Sequence, residues 1–327
     1  MKDFFGRSLS YARISVTDRC NYRCRYCMPE EGVEWIPHDN VLSYEDILYL
    51  LEILSGFGIK KIRFTGGEPL VRKGMVQFLK EAITSFPEFQ IALTTNGSTL
   101  TRDSPLLASI GLTSINISLD TLDAGKFSAM TRGAALQPVI DGIDYLVPLA
   151  SHAKTKIKMN SVLMRGFNDG EMIGQLAGFA SKRGMLLRFI EFMPFHSNFW
   201  SADMFMPFSE ALALLNKTGR WAEDVNSPHR DSLSGPARYY INVDTGQRIG
   251  VISAISKHFC ETCNRLRVTS TGDIRPCLFD DSEVSIAEAV KNRNGEKVRE
   301  LLHAAAAMKL EHGAAHNEKT RMYAIGG

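Results

Sequence analysis

No cysteine lies outside two tight groups, Cys20, Cys24 and Cys27 near the start and Cys260, Cys263 and Cys277 near the end, so none is left over for structural bridging. Clustered thiols of this kind read first as metal ligands, because a reducing compartment disfavours disulfides. Neither sign of charge predominates. The 38 Lys and Arg against 36 Asp and Glu give no whole-molecule field for holding nucleic acid, so any anion site must be local. No apolar run approaches the length of a bilayer, and the opening Met1-Lys2-Asp3-Phe4-Phe5-Gly6-Arg7 lacks the apolar block and cleavage site of a secretory signal. We therefore expect a cytoplasmic protein with no membrane span and no nucleic-acid partner. No repeat of fixed period is found, and the 44% apolar and 23% charged content is that of an ordinary globular chain with a packed core.

What is present begins with a rhythm. To about residue 195, short apolar stretches alternate with helical patterns, the mark of βα units and a parallel sheet. Strands are expected near 13–17, 60–65, 90–95, 114–119, 156–162 and 185–192, and six are too few for a closed eight-stranded barrel. Between the first two, Ser43-Tyr44-Glu45-Asp46 has the form of a capping box with Asp in place of Glu, and Gly56 and Gly58 stop the helix that follows. Further helices are expected over 74–85, 102–110, 138–149 and 169–183.

Side chains alternate between the two faces of a strand, and five of the six strands carry one polar face. Arg13, Ser15 and Thr17 oppose Ile14 and Val16; Lys61, Arg63 and Thr65 oppose Ile62 and Phe64; Lys156, Lys158 and Asn160 oppose Ile157 and Met159. Thr94 and Asn96, and Ser114, Asn116, Ser118 and Asp120, continue the pattern, whereas 185–192 is not so clean. The apolar face must meet the helices, which leaves the polar face lining an interior chamber. Arg13, Lys61, Arg63, Lys156 and Lys158 then point inward and suggest an anionic ligand. A half-exposed antiparallel sheet alternates in the same way, but intervening helices favour parallel crossovers.

After residue 195 the rhythm breaks. Residues 216–236 read as a long connection near a domain boundary, followed by β segments at 238–243 and 248–255 and a hairpin turning at Ser270-Thr271-Gly272-Asp273. The expected fold is α/β: a partial, open (β/α)6 TIM-type barrel over 1–220, with a smaller C-terminal α+β domain over 221–327 that carries the second thiol group.

Cys20, Cys24 and Cys27 follow the first strand, at the carboxyl end where barrel active sites sit. Three thiols cannot close a four-iron cube, so one iron stays free to bind a small molecule. A structural zinc would need a fourth ligand, and His38 is the only nearby imidazole. For Cys260, Cys263 and Cys277 a fourth ligand could be His258 or His316, so from that triad alone zinc and iron-sulfur are equally admissible.

The C-x3-C-x2-C spacing, with Tyr26 before the last cysteine, and Gly66-Gly67-Glu68-Pro69 resemble the radical SAM superfamily. With Cys260-x2-Cys263-Asn264-Arg265-Leu266-Arg267, Thr94-Thr95-Asn96-Gly97, Ser118-Leu119-Asp120, Lys158-Met159-Asn160 and the terminal Gly326-Gly327, the chain resembles the GTP 3′,8-cyclase family of molybdenum cofactor biosynthesis along nearly its whole length. The resemblance implies two [4Fe-4S] clusters, one chelating S-adenosylmethionine (SAM) and one binding the guanine of GTP, with the six cysteines as metal ligands. It implies that a 5′-deoxyadenosyl radical takes hydrogen from C3′, after which C3′ bonds to C8. SAM contacts are implied for Tyr26, Gly67, Ser118 and Met193, and GTP contacts for Arg13, Arg63, Thr94, Lys158, Arg265 and Arg267. Arg265 and Arg267 are the nearest candidates for a catalytic part in the closing electron and proton transfer, and the double-glycine tail is thought to reach the active site. Implied partners are an electron donor such as flavodoxin or ferredoxin and, downstream, cyclic pyranopterin monophosphate synthase; a homodimer is left open.

Two other readings compete. A peptide-modifying radical SAM enzyme would usually carry more C-terminal cysteines and has less need of inward Arg and Lys. A zinc scaffold or nucleic-acid module would hold about two zincs and no sulfide.

Overall fold

The computed structural model describes residues 1–195, 199–229, 233 and 235–313. His316 and Gly326-Gly327, named above as a ligand candidate and a tail, lie outside the described residues. Six βα strands come first: β1 (Tyr11–Ser15), β2 (Lys61–Thr65), β3 (Gln90–Thr95), β4 (Ser114–Ser118), β5 (Lys156–Leu163) and β6 (Leu186–Glu191). They pair in sequence order, every pair parallel. The helices between them are α1 (Tyr44–Ser55), α2 (Met75–Ser85), α3 (Leu100–Ser109), α4 (Ala124–Thr131), α5 (Gln137–His152) and α6 (Glu171–Lys182). The Ser43 capping box forms as expected, with the side chain of Asp46 accepting from the backbone of Ser43 and the hydroxyl of Ser43 accepting from that of Asp46. Helix α4 was not anticipated, because its short apolar pattern, Phe127 and Met130, covers little more than two turns.

The outward face of the sheet is the core. Ile14, Ile62, Phe64, Leu93, Ile115, Ile117, Met159 and Phe189 are fully buried in one cluster against the helices. The polar strand faces are thereby turned inward, as the alternation of residues requires.

The later strands do not form a separate sheet. Helix α7 (Phe208–Leu215) leads to β7 (Trp221–Glu223), β8 (Arg238–Asn242) and β9 (Arg248–Ile252); then come β10 (Arg265–Val268), β11 (Asp273–Arg275), β12 (Val284–Ser285), α8 (Ala287–Lys291) and α9 (Gly295–Ala307). Strand β9 pairs in parallel with β6, and β10 pairs in parallel with β1. The result is one open twelve-stranded sheet, ordered β12-β11-β10-β1-β2-β3-β4-β5-β6-β9-β8-β7. The six-stranded barrel thus gains one parallel strand at each edge, and antiparallel hairpins finish both ends. Edge pairing of this kind protects strands that would otherwise present open backbone groups.

Candidate active site

Register sets the inner face. Across β10, β1 and β2, Arg267 stands beside Arg13 and Arg13 beside Arg63, while one step nearer the strand starts Arg265 and Lys61 flank Tyr11. Along the chain direction this basic block lies between the two thiol groups. Cys263 immediately precedes Asn264 and β10, and Cys277 follows β11, at the amino ends of the parallel strands. Cys20, Cys24 and Cys27 leave the carboxyl end of β1. The four steps from Tyr11 to Ser15 separate these levels by about 13 Å at 3.3 Å per residue.

The first cysteine loop is held by backbone. Arg23 and Arg25 donate their N–H groups to the carbonyls of Thr131 and Met130, and Arg132 donates to the carbonyls of Arg23 and Met28. Gly67 brings β2 onto this loop: a Cβ there would sit 2.4 Å from the carbonyl oxygen of Arg19, which only glycine avoids. Glu68 is buried and accepts from the N–H groups of Leu70 and Asn96 and the hydroxyl of Thr95, joining the ends of β2 and β3. Burial outweighs these hydrogen bonds and raises Glu68 to about 7.

A cavity of about 210 Å³ opens above the sheet. Its walls bring together Cys20, Cys24, Cys27, Tyr26, Gly67, Thr94, Ser118 and Met193, residues drawn from five strand ends. The Tyr26 hydroxyl donates to Asp120 at 2.8 Å, and Asp120 also accepts from the N–H of Val162. Burial raises Asp120 to about 6 and drives Tyr26 well above its ordinary range. The thiols respond alike: burial raises Cys20 to about 11 and Cys27 to about 12, and raises Cys24 strongly.

Arg63 is buried and donates to Tyr11 Oη at 2.7 Å, the carbonyl of Leu93 at 2.8 Å and Ser114 Oγ at 3.2 Å. Burial pushes Tyr11 up, but Arg63, Arg13 and Lys61 together bring it down to about 7. Burial, with the surrounding like charges, draws Lys158 down to about 7, Arg13 to about 10 and Arg267 to about 9. Among the described residues no ion pair joins Arg63, Lys158, Arg188, Arg265 or Arg267 to a carboxylate. Arg267 Nε and Asn116 Oδ1 are buried without a hydrogen-bond partner among the described residues. The orphaned Arg267 donor in a cationic chamber fits a polyanion, and the Asn116 oxygen offers an acceptor.

The sequence pattern missed three members of this site. Arg188 is buried on the inner face of β6, aligned with Asn160 and donating to its Oδ1 at 2.7 Å and 3.0 Å. Apolar neighbours on both faces of β6 hid it. Glu191, fully buried, accepts from the N–H groups of Phe208, Ile255 and Ser256, tying β6 to the segment that leads to the second triad. Asp120 was seen only as one more inward polar residue. Conversely, Lys156 is exposed at the start of β5 and lines an outer cleft with Arg183 and His229, a cleft that Lys158 also borders.

The second triad sits among cations. Arg265 donates to Cys263 Sγ at 3.7 Å, Arg7 to the carbonyl of Cys260 at 2.8 Å, and Gly313 offers its N–H to Cys260 Sγ at 3.4 Å. Burial raises the Cys263 thiol, but Arg265, Lys309 and Arg267 more than offset it and leave it at about 6. Among the described residues, no three His, Cys, Asp or Glu side chains are gathered closely enough around one point for a single metal ion. Among the described residues no helix is long and apolar enough to cross a membrane.

The fold, with its cysteine loop at the barrel mouth, defines a class. Residues 14–177 match the model of the radical SAM superfamily, and residues 185–314 match that described as Molybdenum Cofactor Synthesis C. SuiB of Streptococcus suis, solved bound to S-adenosylmethionine, superposes with a TM-score of 0.61 at 14% identity, over 94% of this chain and 71% of its own. Native anSMEcpe with bound AdoMet gives 0.56 at 16% identity, over 84% and 77%. At that identity the likeness is one of fold. Sequence narrows it further: a GTP 3′,8-cyclase of Thermodesulfovibrio yellowstonii is 41% identical over 100% of both chains, and one of Pelotomaculum thermopropionicum is 39% identical over 94% of both. The chain belongs to the GTP 3′,8-cyclase family of radical SAM enzymes.

Proposed function

We propose that this enzyme converts GTP to (8S)-3′,8-cyclo-7,8-dihydroguanosine 5′-triphosphate, the first step of molybdenum cofactor biosynthesis. The observation that carries the reading is the block Arg267, Arg13 and Arg63, side by side in register between two separate thiol triads. We assign Cys20, Cys24 and Cys27 to a [4Fe-4S] cluster with SAM, and Cys260, Cys263 and Cys277 to a second [4Fe-4S] cluster facing the guanine. Residues 1–220 supply the SAM chamber, and 221–327 bring the second triad to it. When bound, the first cluster and SAM supply the electron and the carbon radical that removes hydrogen from C3′ of the ribose.

The chain's own residues bind, orient and shield. Arg13, Arg63, Arg267 and Lys158 hold the triphosphate by charge-assisted hydrogen bonds, and a ligand with about four negative charges offsets the repulsion among them. Arg188, on the same face, extends that clamp. Gly67 and Ser118 set the floor and wall against SAM, Met193 lies beside them, and Thr94 stands between this wall and the basic block. The hydrogen bond to Asp120 fixes the ring of Tyr26 over the cavity. Holding the ribose against SAM in a closed chamber shortens the path of a reactive species and keeps water away. Arg265 and Arg267, next to the second triad, are our candidates for guiding the final proton to the base. The electrons require an external donor of the flavodoxin or ferredoxin class, and the product is a substrate for cyclic pyranopterin monophosphate synthase.

The test is an anaerobic incubation of reconstituted protein with SAM, a reductant and GTP. The expected result is 5′-deoxyadenosine and the cyclised nucleotide in equal amounts. SAM cleavage without a cyclised GTP product would sink this assignment and leave only the radical SAM class.

A further inference from the structure

A lysine outside the barrel strands holds the second triad from beneath. Lys309 follows α9 and is only 3% exposed. Its ammonium donates to the carbonyl oxygen of Arg265 at 3.0 Å and to that of Pro276 at 2.7 Å. Arg265 lies two residues after Cys263, and Pro276 immediately precedes Cys277. One side chain therefore fastens together the two segments that deliver two of the three sulfurs.

Its electrostatic setting is unusual. A buried ammonium is costly unless something negative faces it. Among the described residues Lys309 enters no ion pair with a carboxylate; burial works against its charge, the thiols of Cys263 and Cys277 favour it, and Arg265 and Arg267 oppose it. The arginines repel it. The two sulfurs can carry an opposing charge, and they carry it when they ligate metal. The chain past Lys309 then closes over the third sulfur: Arg7, itself paired with Asp3, donates to the carbonyls of Leu310 and Cys260, and Gly313 donates to Cys260 Sγ. A Cβ at Gly313 would come 3.2 Å from Cys277 Sγ, so the strap lies flat against the triad.

We infer that Lys309 is a positioning residue for the second thiol triad, clamping the Cys263 and Cys277 segments and placing a fixed positive charge beneath the cluster those sulfurs hold. The inference rests on the reading of that triad as an iron-sulfur site. A cation at this position favours the reduced, more negative cluster, so removing it lowers the reduction potential.

The test uses the full chain carrying Cys20, Cys24 and Cys27 all changed to Ala, so that only the second site can hold iron. Iron, sulfide and the midpoint potential followed by electron paramagnetic resonance are measured with Lys309 intact, with Lys309→Met and with Lys309→Gln. Lys309→Met should lose at least half of the bound iron, or keep it at a lower potential. Lys309→Gln, which retains donors without charge, should keep more iron than Lys309→Met but show the lowered potential. Matching thermal melts of the three apoproteins separate a local effect from a failure to fold, and Lys309→Gln decides if Lys309→Met does not fold. Full iron at an unchanged potential in both variants would overturn the role given to Lys309. Absence of iron and sulfide with Lys309 intact would instead overturn the second cluster itself, and the inference with it.

Discussion

The two thiol triads are alike in number and opposite in surroundings. Burial drives Cys20, Cys24 and Cys27 upward, and the carboxylates of Glu68 and Asp120 add to it at Cys20 and Cys24. Around Cys263 the neighbours are Arg265, Lys309 and Arg267, and the thiol comes down to about 6 despite burial. The first site is thus a desolvated pocket in which metal must displace protons, beside a cavity sized for a small molecule. The second has a cationic cradle that favours thiolate at Cys263, next to an Arg267 Nε with no hydrogen-bond partner among the described residues. The difference teaches where an anion meets least resistance: the charges around the second triad favour phosphate, and those around the first oppose it.

The largest effect that would break this comparison is expected from Gly67→Ala. A Cβ 2.4 Å from a backbone carbonyl forces the first cysteine loop off β2. Iron at the first triad and all SAM cleavage should be lost while the second triad keeps its iron; equal loss at both would mean that the two sites are not structurally separate. Next is Arg267→Ala, which removes a buried guanidinium from the phosphate clamp. GTP binding should weaken by about 100-fold or more, with iron content unchanged, as equilibrium binding and metal analysis would show. Unchanged GTP affinity would remove Arg267 from the clamp.

The thiols themselves sharpen the contrast through pH. In metal-free protein at pH 7, Cys263 lies above its pKa and is largely thiolate, whereas Cys20 and Cys27 lie far below theirs. After allowing for the weaker nucleophilicity of a low-pKa thiolate, alkylation of Cys263 should be roughly 50- to 100-fold faster. Raising the pH to 9 should leave the Cys263 rate nearly level and accelerate the first triad about 100-fold, since its thiolate fraction grows tenfold per pH step. Peptide mass spectrometry reads both, and similar rates at pH 7 would refute the contrast. The smallest effect concerns the tie between the regions. Glu191→Ala leaves the N–H groups of Phe208, Ile255 and Ser256 without their acceptor and should cost about 1–3 kcal/mol in denaturant unfolding. No loss of stability would show that these donors find other partners.

Much of this was legible because strands state their faces in the sequence. Arg13, Arg63, Thr94 and Lys158 were placed inward by alternation alone, and the cysteine spacing marked both thiol groups as candidate metal ligands. Arg188 was not legible, since both faces of β6 carry apolar residues and its alternation is lost among Leu186, Leu187, Phe189 and Ile190. Lys156 misled for the opposite reason: its parity is right, but the strand begins there, outside the enclosed part of the sheet. The joining of β9 and β10 to the barrel edges depends on pairing between segments far apart in sequence, which no local pattern records. Lys309 follows a helix, where neither parity nor a motif marks it, and only the folded chain brings it to Arg265 and Pro276.

The measurement that tests the central claim most directly is the iron, sulfide and zinc content of protein purified without oxygen, in the unaltered chain and in two triple variants. One variant has Cys20, Cys24 and Cys27 changed to Ala, and the other Cys260, Cys263 and Cys277. The account predicts about eight irons in the unaltered chain and about four in each variant, with sulfide in step. About four irons and one zinc in the unaltered chain, with the zinc lost only from the second variant, would contradict it.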